Sequence, residues 1–287
     1  MNKSMKILYT SDLHGRNELY KQLLDKIRSD SIQAVILGGD LLPRKAPGRN
    51  SLDVQKNFIN NQLQDIFQKI RQINNCSIYA ILGNDDWAAT LPLFGFMADD
   101  KLIHLLHGVT RILDTEYIIT GYPFVPPTPF RSKDFEKLDK RTDPVPDPLP
   151  AASISVHDEI QPVDTSIYYQ SRTSIEQDLE MIREEKEKRT IYVMHSPPFN
   201  TNLDLLHDGQ HIGSRAIREF IMNKQPDITL HGHIHESPAI SGHYWDCLGK
   251  TLSVNPGQMG DTLSAVMFDL YKPGETLIHT QFGKAFH

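Results

Sequence analysis

Five times along this chain a short apolar run ends directly in Asp, Asn or His, and this recurrence limits what the chain can fold into more than any other feature. Lys6 to Thr10 leads into Asp12-Leu13-His14, Ala34 to Leu37 into Gly39-Asp40, and Ile78 to Leu82 into Gly83-Asn84-Asp85-Asp86. Ile191 to Met194 leads into His195, and Asp227 to Leu230 into His231-Gly232-His233-Ile234-His235. Short apolar runs bounded by turn residues read as buried strands. Between the first three lie segments with helical spacing: Leu19, Leu23, Leu24 and Ile27, then Phe58, Ile59, Leu63, Ile66, Phe67 and Ile70. That alternation is β-α-β, and an α/β sheet binds its ligands at the carboxyl ends of its strands. The polar residues are therefore predicted to converge on one sheet edge.

The remaining chain carries different signals. From about Leu102 to Gly121, short β-like runs, among them Val109 to Leu113 and Tyr117 to Thr120, predict a meander. Nine of the 18 prolines then fall between Pro123 and Pro162. Proline has no N–H and a fixed φ, so residues 122–170 are predicted to be an ordered excursion or lid, with a flexible linker as the alternative. Its aromatic residues, among them Phe130, Phe135, Tyr168 and Tyr169, favour a packed loop. Thr173-Ser174-Ile175-Glu176 has capping-box form and predicts a helix to about Arg189, with Arg183 to Arg189 as its solvated face. A further helix is predicted over Arg215 to Met222, followed by β-like runs and an Asn255-Pro256-Gly257 turn. Residues 1–287 read as one domain with the Pro-rich insertion at about 122–170.

Charge and cysteine content narrow the partners. Thirty Lys and Arg against 36 Asp and Glu give a net charge of −6. That balance offers no chain-wide grip on nucleic acid or an anionic membrane. No apolar run reaches the roughly 18 residues needed to span a bilayer. The segment from Met1 to Thr10 is too short in its apolar part for a secretory signal, and Cys76 and Cys247 are too few for a disulfide framework. A cytoplasmic location is expected, with both thiols buried bystanders. Histidine is over-represented: six of 13 lie between His207 and His243, and imidazole is the commonest metal ligand.

In order, Asp-X-His, Gly-Asp, Gly-Asn, His and Gly-His-X-His resemble the motifs of the calcineurin-like metallophosphoesterase superfamily, from Asp12 through His235. The resemblance implies an α/β/β/α sandwich of two mixed β-sheets flanked by helices. It also implies two divalent metal ions, one held by Asp12, His14 and His235 and the other by Asn84, His195 and His233, with Asp40 bridging. A ligand set of nitrogen and oxygen without thiolate suits Mn, and equally Fe, Zn, Ni or Co. The implied reaction is hydrolysis of a phosphodiester, or a phosphomonoester, of a small or medium phosphorylated molecule by a hydroxide bridging the metals.

One position departs from the family pattern. Where the family carries a histidine after Gly-Asn, this chain has Asp85. Asp85 is then either a catalytic acid or a positioning residue, because an ordinary carboxyl is ionised near neutral pH and donates protons poorly. His211, in a Gly- and His-rich loop before a helix whose N-terminus would favour phosphate, is the alternative proton donor. Arg16, Arg44 and Asn84 are candidate substrate contacts, and His231 is a candidate partner orienting a ligand. The alternatives to an esterase of small molecules are a non-catalytic metal-binding scaffold with a protein partner and a nuclease of the same superfamily. The filled ligand set weighs against the first, and the acidic charge against the second. Oligomeric state stays open.

Overall fold

The computed structural model describes residues 3–44, 50–149, 151–183 and 187–285. The first β-α-β unit is β1 (Lys6–Thr10), α1 (Asn17–Ser29) and β2 (Ala34–Gly38). Helix α1 buries Leu19, Tyr20, Leu23 and Ile27 along one stripe, with Glu18 in its first turn and Lys26 and Arg28 in its last. That charge order complements the helix dipole. In the second unit α2 (Ser51–Phe58), a π-helical turn over Ile59–Leu63 and α3 (Gln64–Gln72) form one unbroken helix, and a turn then leads to β3 (Ser77–Ile81). The π turn keeps Phe58, Ile59, Leu63, Phe67 and Ile70 buried.

Helix α4 (Leu91–Asp99), which the periodicity leaves unassigned, leads to β4 (His104–Leu105). The predicted meander is not a single unit. Strand β4 pairs parallel with β3, whereas β5 (Thr110–Ile112) and β6 (Tyr117–Tyr122) form a hairpin in another sheet. The chain crosses between sheets where Gly121 packs on Leu106; a Cβ at Gly121 would lie 2.5 Å from the Leu106 carbonyl oxygen.

The excursion contains a hairpin of β7 (Ser153–Val156) and β8 (Glu159–Pro162), then α5 (Thr165–Gln170). Helix α6 (Ile175–Glu180) is shorter than the sequence suggests and starts one residue later, since Ser174 and Gln177 make the capping box. Only Ile175 and Leu179 anchor it, and Met181 is exposed, so no buried stripe carries it towards Arg189. Residues 184–186 of the predicted helix lie outside the described residues. The chain continues through β9 (Arg189–Met194), α7 (Arg215–Lys224), β10 (Ile228–Leu230), β11 (Trp245–Leu248), β12 (Thr251–Val254), β13 (Val266–Asp269), β14 (Ile278–His279) and β15 (Gly283–Lys284).

Among the described residues two mixed sheets form a sandwich. One has the order β15-β14-β13-β1-β2-β3-β4, the other β11-β12-β10-β9-β6-β5. Alternate strand residues face opposite layers. Ile7, Tyr9, Ile36 and Ile81 meet Ile119, Val193 and Leu230 between the sheets. Leu8, Val35, Ile78 and Ala80 face α1, α3 and α4 instead. Tyr192 and Met194 pack with α6 and α7 on the far side. The result is the expected α/β/β/α arrangement, with both sheet faces covered and the strands almost wholly apolar, as parallel sheets require. Cys76 is buried but Cys247 is exposed, correcting the expectation for the second thiol: β11 is an edge strand. Among the described residues no helix is long and apolar enough to cross a membrane.

Candidate active site

Strands β1, β2 and β3 run parallel in one sheet, β9 and β10 in the other, so their carboxyl ends gather the five polar loops. The turns are tight. Asp12, His14, Asp40 and His233 all have φ between 46° and 66°, a left-handed region that costs a non-glycine residue energy and recurs at functional sites. Glycine lets the loops nest. A Cβ on Gly83 would lie 2.6 Å from both the Asp40 backbone nitrogen and His195 Nε2.

The seven predicted ligands lie along one line of contacts. His235 Nε2 lies 3.2 Å from Asp12 Oδ1 and 3.3 Å from His14 Nε2. Asp40 Oδ2 lies 4.0 Å from His14 Nε2 on one side and 3.4 Å from His195 Nε2 on the other. His195 Nε2 in turn lies 3.1 Å from Asn84 Oδ1, and its ring centre 5.4 Å from that of His233. One ligand atom from each of Asp12, His14, Asp40 and His235 falls within 4.8 Å of the others. Two imidazoles face each other beside two carboxylates, and His14 Nδ1 is buried with no hydrogen-bond partner among the described residues. A divalent cation fits this donor set of nitrogen and oxygen.

Electrostatics of the cluster point the same way. Burial raises the cost of charge on Asp12, but His235 and His195 outweigh it and hold the carboxyl at about 2. Burial likewise opposes ionisation of Asp40, yet His195 and His14 keep it far below the usual carboxylate range. Burial disfavours the imidazolium of His14 and His233, leaving each at about 3 and therefore neutral, the form that ligates metal. His195 is the exception: burial opposes its charge, but Asp40 pushes it up to about 9.

Several further residues, among them the His231 named above as a candidate orienting partner, hold these loops. Asp86, fully buried, accepts from the backbone nitrogens of Leu41, Leu42 and Gly83, stapling the Asp40 loop to the Asn84 loop. Asn255 donates to the carbonyls of Leu203, Gly232 and Ile234, bracing the Gly-His-X-His turn. His231 Nδ1 bonds the carbonyls of Met194 and Ser196, on either side of His195. His195 Nδ1 bonds the Gly38 carbonyl at 2.8 Å, which turns Nε2 towards Asp40 and Asn84.

A pocket of about 450 Å³ opens over the cluster. Asp40, Asn84, His233 and His235 form its floor, and Arg44 lines its side. Arg16 is not brought to it: its guanidinium bonds the Gly260 carbonyl at 2.6 Å and faces Asp261. Asp85 does not line the pocket, and its carboxylate lies 3.9 Å from His14 Nδ1. Its backbone N–H donates to Asp40 Oδ1 at 2.8 Å and its carboxylate accepts from Arg44 Nε. Burial, aided by the Asp40 charge, raises that carboxyl to about 6.

His211 Nδ1 lies 2.7 Å from Asp204 Oδ1, and Asp204 is itself fully buried and fixed by the backbone nitrogens of Asn200, Thr201 and Gly213. His211 does not line the pocket, but its neighbours Leu206 and Ile212 do. The phosphate-binding helix N-terminus expected after this loop is already filled: the Asp139 carboxylate accepts from the Arg215 backbone nitrogen at 2.8 Å, and Ser214 caps Ile217. The Pro-rich excursion supplies the pocket's opposite wall through residues 126–130.

The family model of calcineurin-like phosphoesterases matches residues 5–237. No curated protein sequence matches the chain. Among solved structures, the protein TT1561 of Thermus thermophilus is similar at 15% identity and a TM-score of 0.59, over 98% of this chain and 100% of that one. A dimetal phosphatase from Danio rerio is similar at 9% identity and a TM-score of 0.52, over 94% of this chain and 96% of that one. At these identities the likeness is one of fold.

Proposed function

Because this chain belongs to the calcineurin-like phosphoesterase family and is a metal-dependent phosphoric ester hydrolase, we propose that it holds two divalent ions, with manganese as the preferred metal, and cleaves small phosphodiesters. The observation that carries this reading is the place of Asp40, with one carboxylate oxygen 4.0 Å from His14 and 3.4 Å from His195. Two cations about 3.5–4 Å apart repel and need a shared anion between them, which Asp40 supports. Asp12, His14 and His235 would hold one ion; Asn84, His195 and His233 the other. Bound there, such ions supply Lewis acidity towards phosphoryl oxygens and a nucleophilic water at neutral pH.

The chain's own residues do the rest. Arg44, on the pocket side, meets a phosphoryl oxygen, and the Asp85 carboxylate fixes where its guanidinium points. Asp85 is thereby a positioning residue, aiming Arg44 with its side chain and Asp40 with its N–H. Asn84 faces the pocket and orients the phosphoryl group. For proton supply the support favours His211. Its Nδ1 is held by buried Asp204, the arrangement that fixes an imidazole's tautomer and presents Nε2. The acidic charge weighs against nucleic acid, the size of the pocket suits a small phosphorylated molecule, and two cysteines without a disulfide suit the cytoplasm.

The experiment strips the protein of metal, restores Mn²⁺ and compares bis(4-nitrophenyl) phosphate with 4-nitrophenyl phosphate, with Asp40→Asn as the blank. Turnover that favours the diester and vanishes in the blank is expected. A monoester preference would correct the substrate class, and no turnover with any of the five metals would overturn the function. In the same assay His211→Ala should spare nitrophenolate departure, which needs no proton, and slow a diester with an alkoxide leaving group about 100-fold.

A further inference from the structure

Phe130 is half exposed, at 50% of its surface, on the wall of the pocket over the metal ligands. An exposed large aromatic is common and by itself means little. What holds this one is unusual. Its backbone nitrogen donates to Thr128 Oγ1 at 3.1 Å, and Thr128 is tied at every polar atom to one buried ion pair. The Thr128 nitrogen and hydroxyl both donate to Glu136, and its carbonyl accepts from Lys133 Nζ at 2.8 Å. Lys133 and Glu136 are 1% and 0% exposed, 2.9 Å apart, and Tyr169 adds a fourth donor to the same carboxylate. Burying two charges is expensive even when they pair, and a fold that needed only stability would fill such a position with apolar side chains. Here the network fixes the segment that presents Phe130.

The rest of that wall narrows the occupant. Pro126, Pro127 and Pro129 have no N–H to offer, and Leu206 and Ile212 are apolar. Glu236 adds a carboxylate, and Arg44, the one arginine among the described residues of the lining, is taken by the phosphoryl group in the reading above. Among those described residues a second anionic group on the substrate would find no free cation, whereas a flat, uncharged ring would find an aromatic face and proline edges.

Resting on the phosphodiesterase reading above, we infer that Phe130, held out by the Lys133–Glu136 pair through Thr128, is the specificity-determining residue and selects diesters that carry an uncharged aromatic substituent. The phosphoryl group sits over Asp40 and Asn84, and the aromatic substituent stacks on Phe130.

Binding tests this separately from turnover. Diphenyl phosphate, dimethyl phosphate and bis(4-carboxyphenyl) phosphate are titrated calorimetrically into the Mn²⁺-loaded protein and into Phe130→Ala and Phe130→Trp. Diphenyl phosphate should bind about tenfold more tightly than dimethyl phosphate, the typical return of one aromatic stack. Phe130→Ala should erase that preference, Phe130→Trp should keep it, and the carboxylated probe should bind more weakly than its uncharged parent. Phe130 is exposed, so neither variant disturbs the core. Equal binding of the phenyl and methyl probes, or a preference that survives Phe130→Ala, would overturn the inference. An aryl preference without hydrolysis of any ester would leave it standing and remove the esterase reading instead.

Discussion

The strand-end loops and the Pro-rich excursion both face the same pocket, yet they are built on different principles. The loops place four of the seven ligands by a backbone turn: a strand ends, φ turns positive at Asp12, His14, Asp40 and His233, and the side chain lands at the sheet edge. The excursion has little regular structure of its own. It is fixed by buried polar side chains, some of them reaching far along the chain: Lys133 and Glu136 to nearby Thr128, Glu136 to Tyr169, Asp134 to the nitrogens of Ala88 and Ser155, and Asp139 to the start of α7. The ligand loops thus turn on backbone geometry, and the wall of the pocket is ordered by buried ion pairs and hydrogen bonds. The first kind of construction tolerates no added atoms, and the second tolerates no unpaired charge.

The comparison breaks most sharply at Glu136. Glu136→Ala leaves Lys133 buried without its counter-charge and should lower the unfolding free energy by about 3–5 kcal/mol in a denaturant titration. Replacing both partners, Lys133→Met with Glu136→Leu, should restore much of that loss while the aryl preference of the pocket stays diminished. A loss below about 1 kcal/mol in the single variant would show that the pair does not hold the excursion. On the loop side, the added methyl of Gly83→Ala pushes against Asp40 and His195. A displacement of the order of 1 Å at reacting groups costs about 100-fold, so kcat for bis(4-nitrophenyl) phosphate should fall by that factor with the fold retained. A variant that keeps full turnover would mean that the Asp40 and Asn84 loops are not nested as tightly as the structure has them.

The same contrast explains what could be read from the sequence. Asp12, Asp40, Asn84, His195 and His233 were legible because each follows a strand that its own apolar run betrays, and the order of the motifs matches a known family. Asp86, Asp204 and Asn255 were not, because a buried side chain bonding several backbone groups leaves no periodic trace; in the sequence it is one more Asp or Asn in a loop. Arg16 follows the first motif as closely as Arg44 follows the second, and only the fold shows that Gly260 claims it. The start of α7 reads as a phosphate site until Asp139, 76 residues earlier, is found occupying it. Proline content flagged residues 122–170 as irregular and aromatic content as packed, but the Lys133–Glu136 pair that orders the wall lies three residues apart and resembles any surface i, i+3 pair.

In the proposed function Asp40 joins two metal sites into one centre. Its most direct test is a count of the ions: load the stripped protein with Mn²⁺, desalt it and measure manganese per chain by elemental analysis, alongside Asp40→Asn. The account predicts two ions per chain in the wild type and loss of at least one in the variant. A wild-type chain that retains one ion or none, or an Asp40→Asn protein that still carries two, would contradict it.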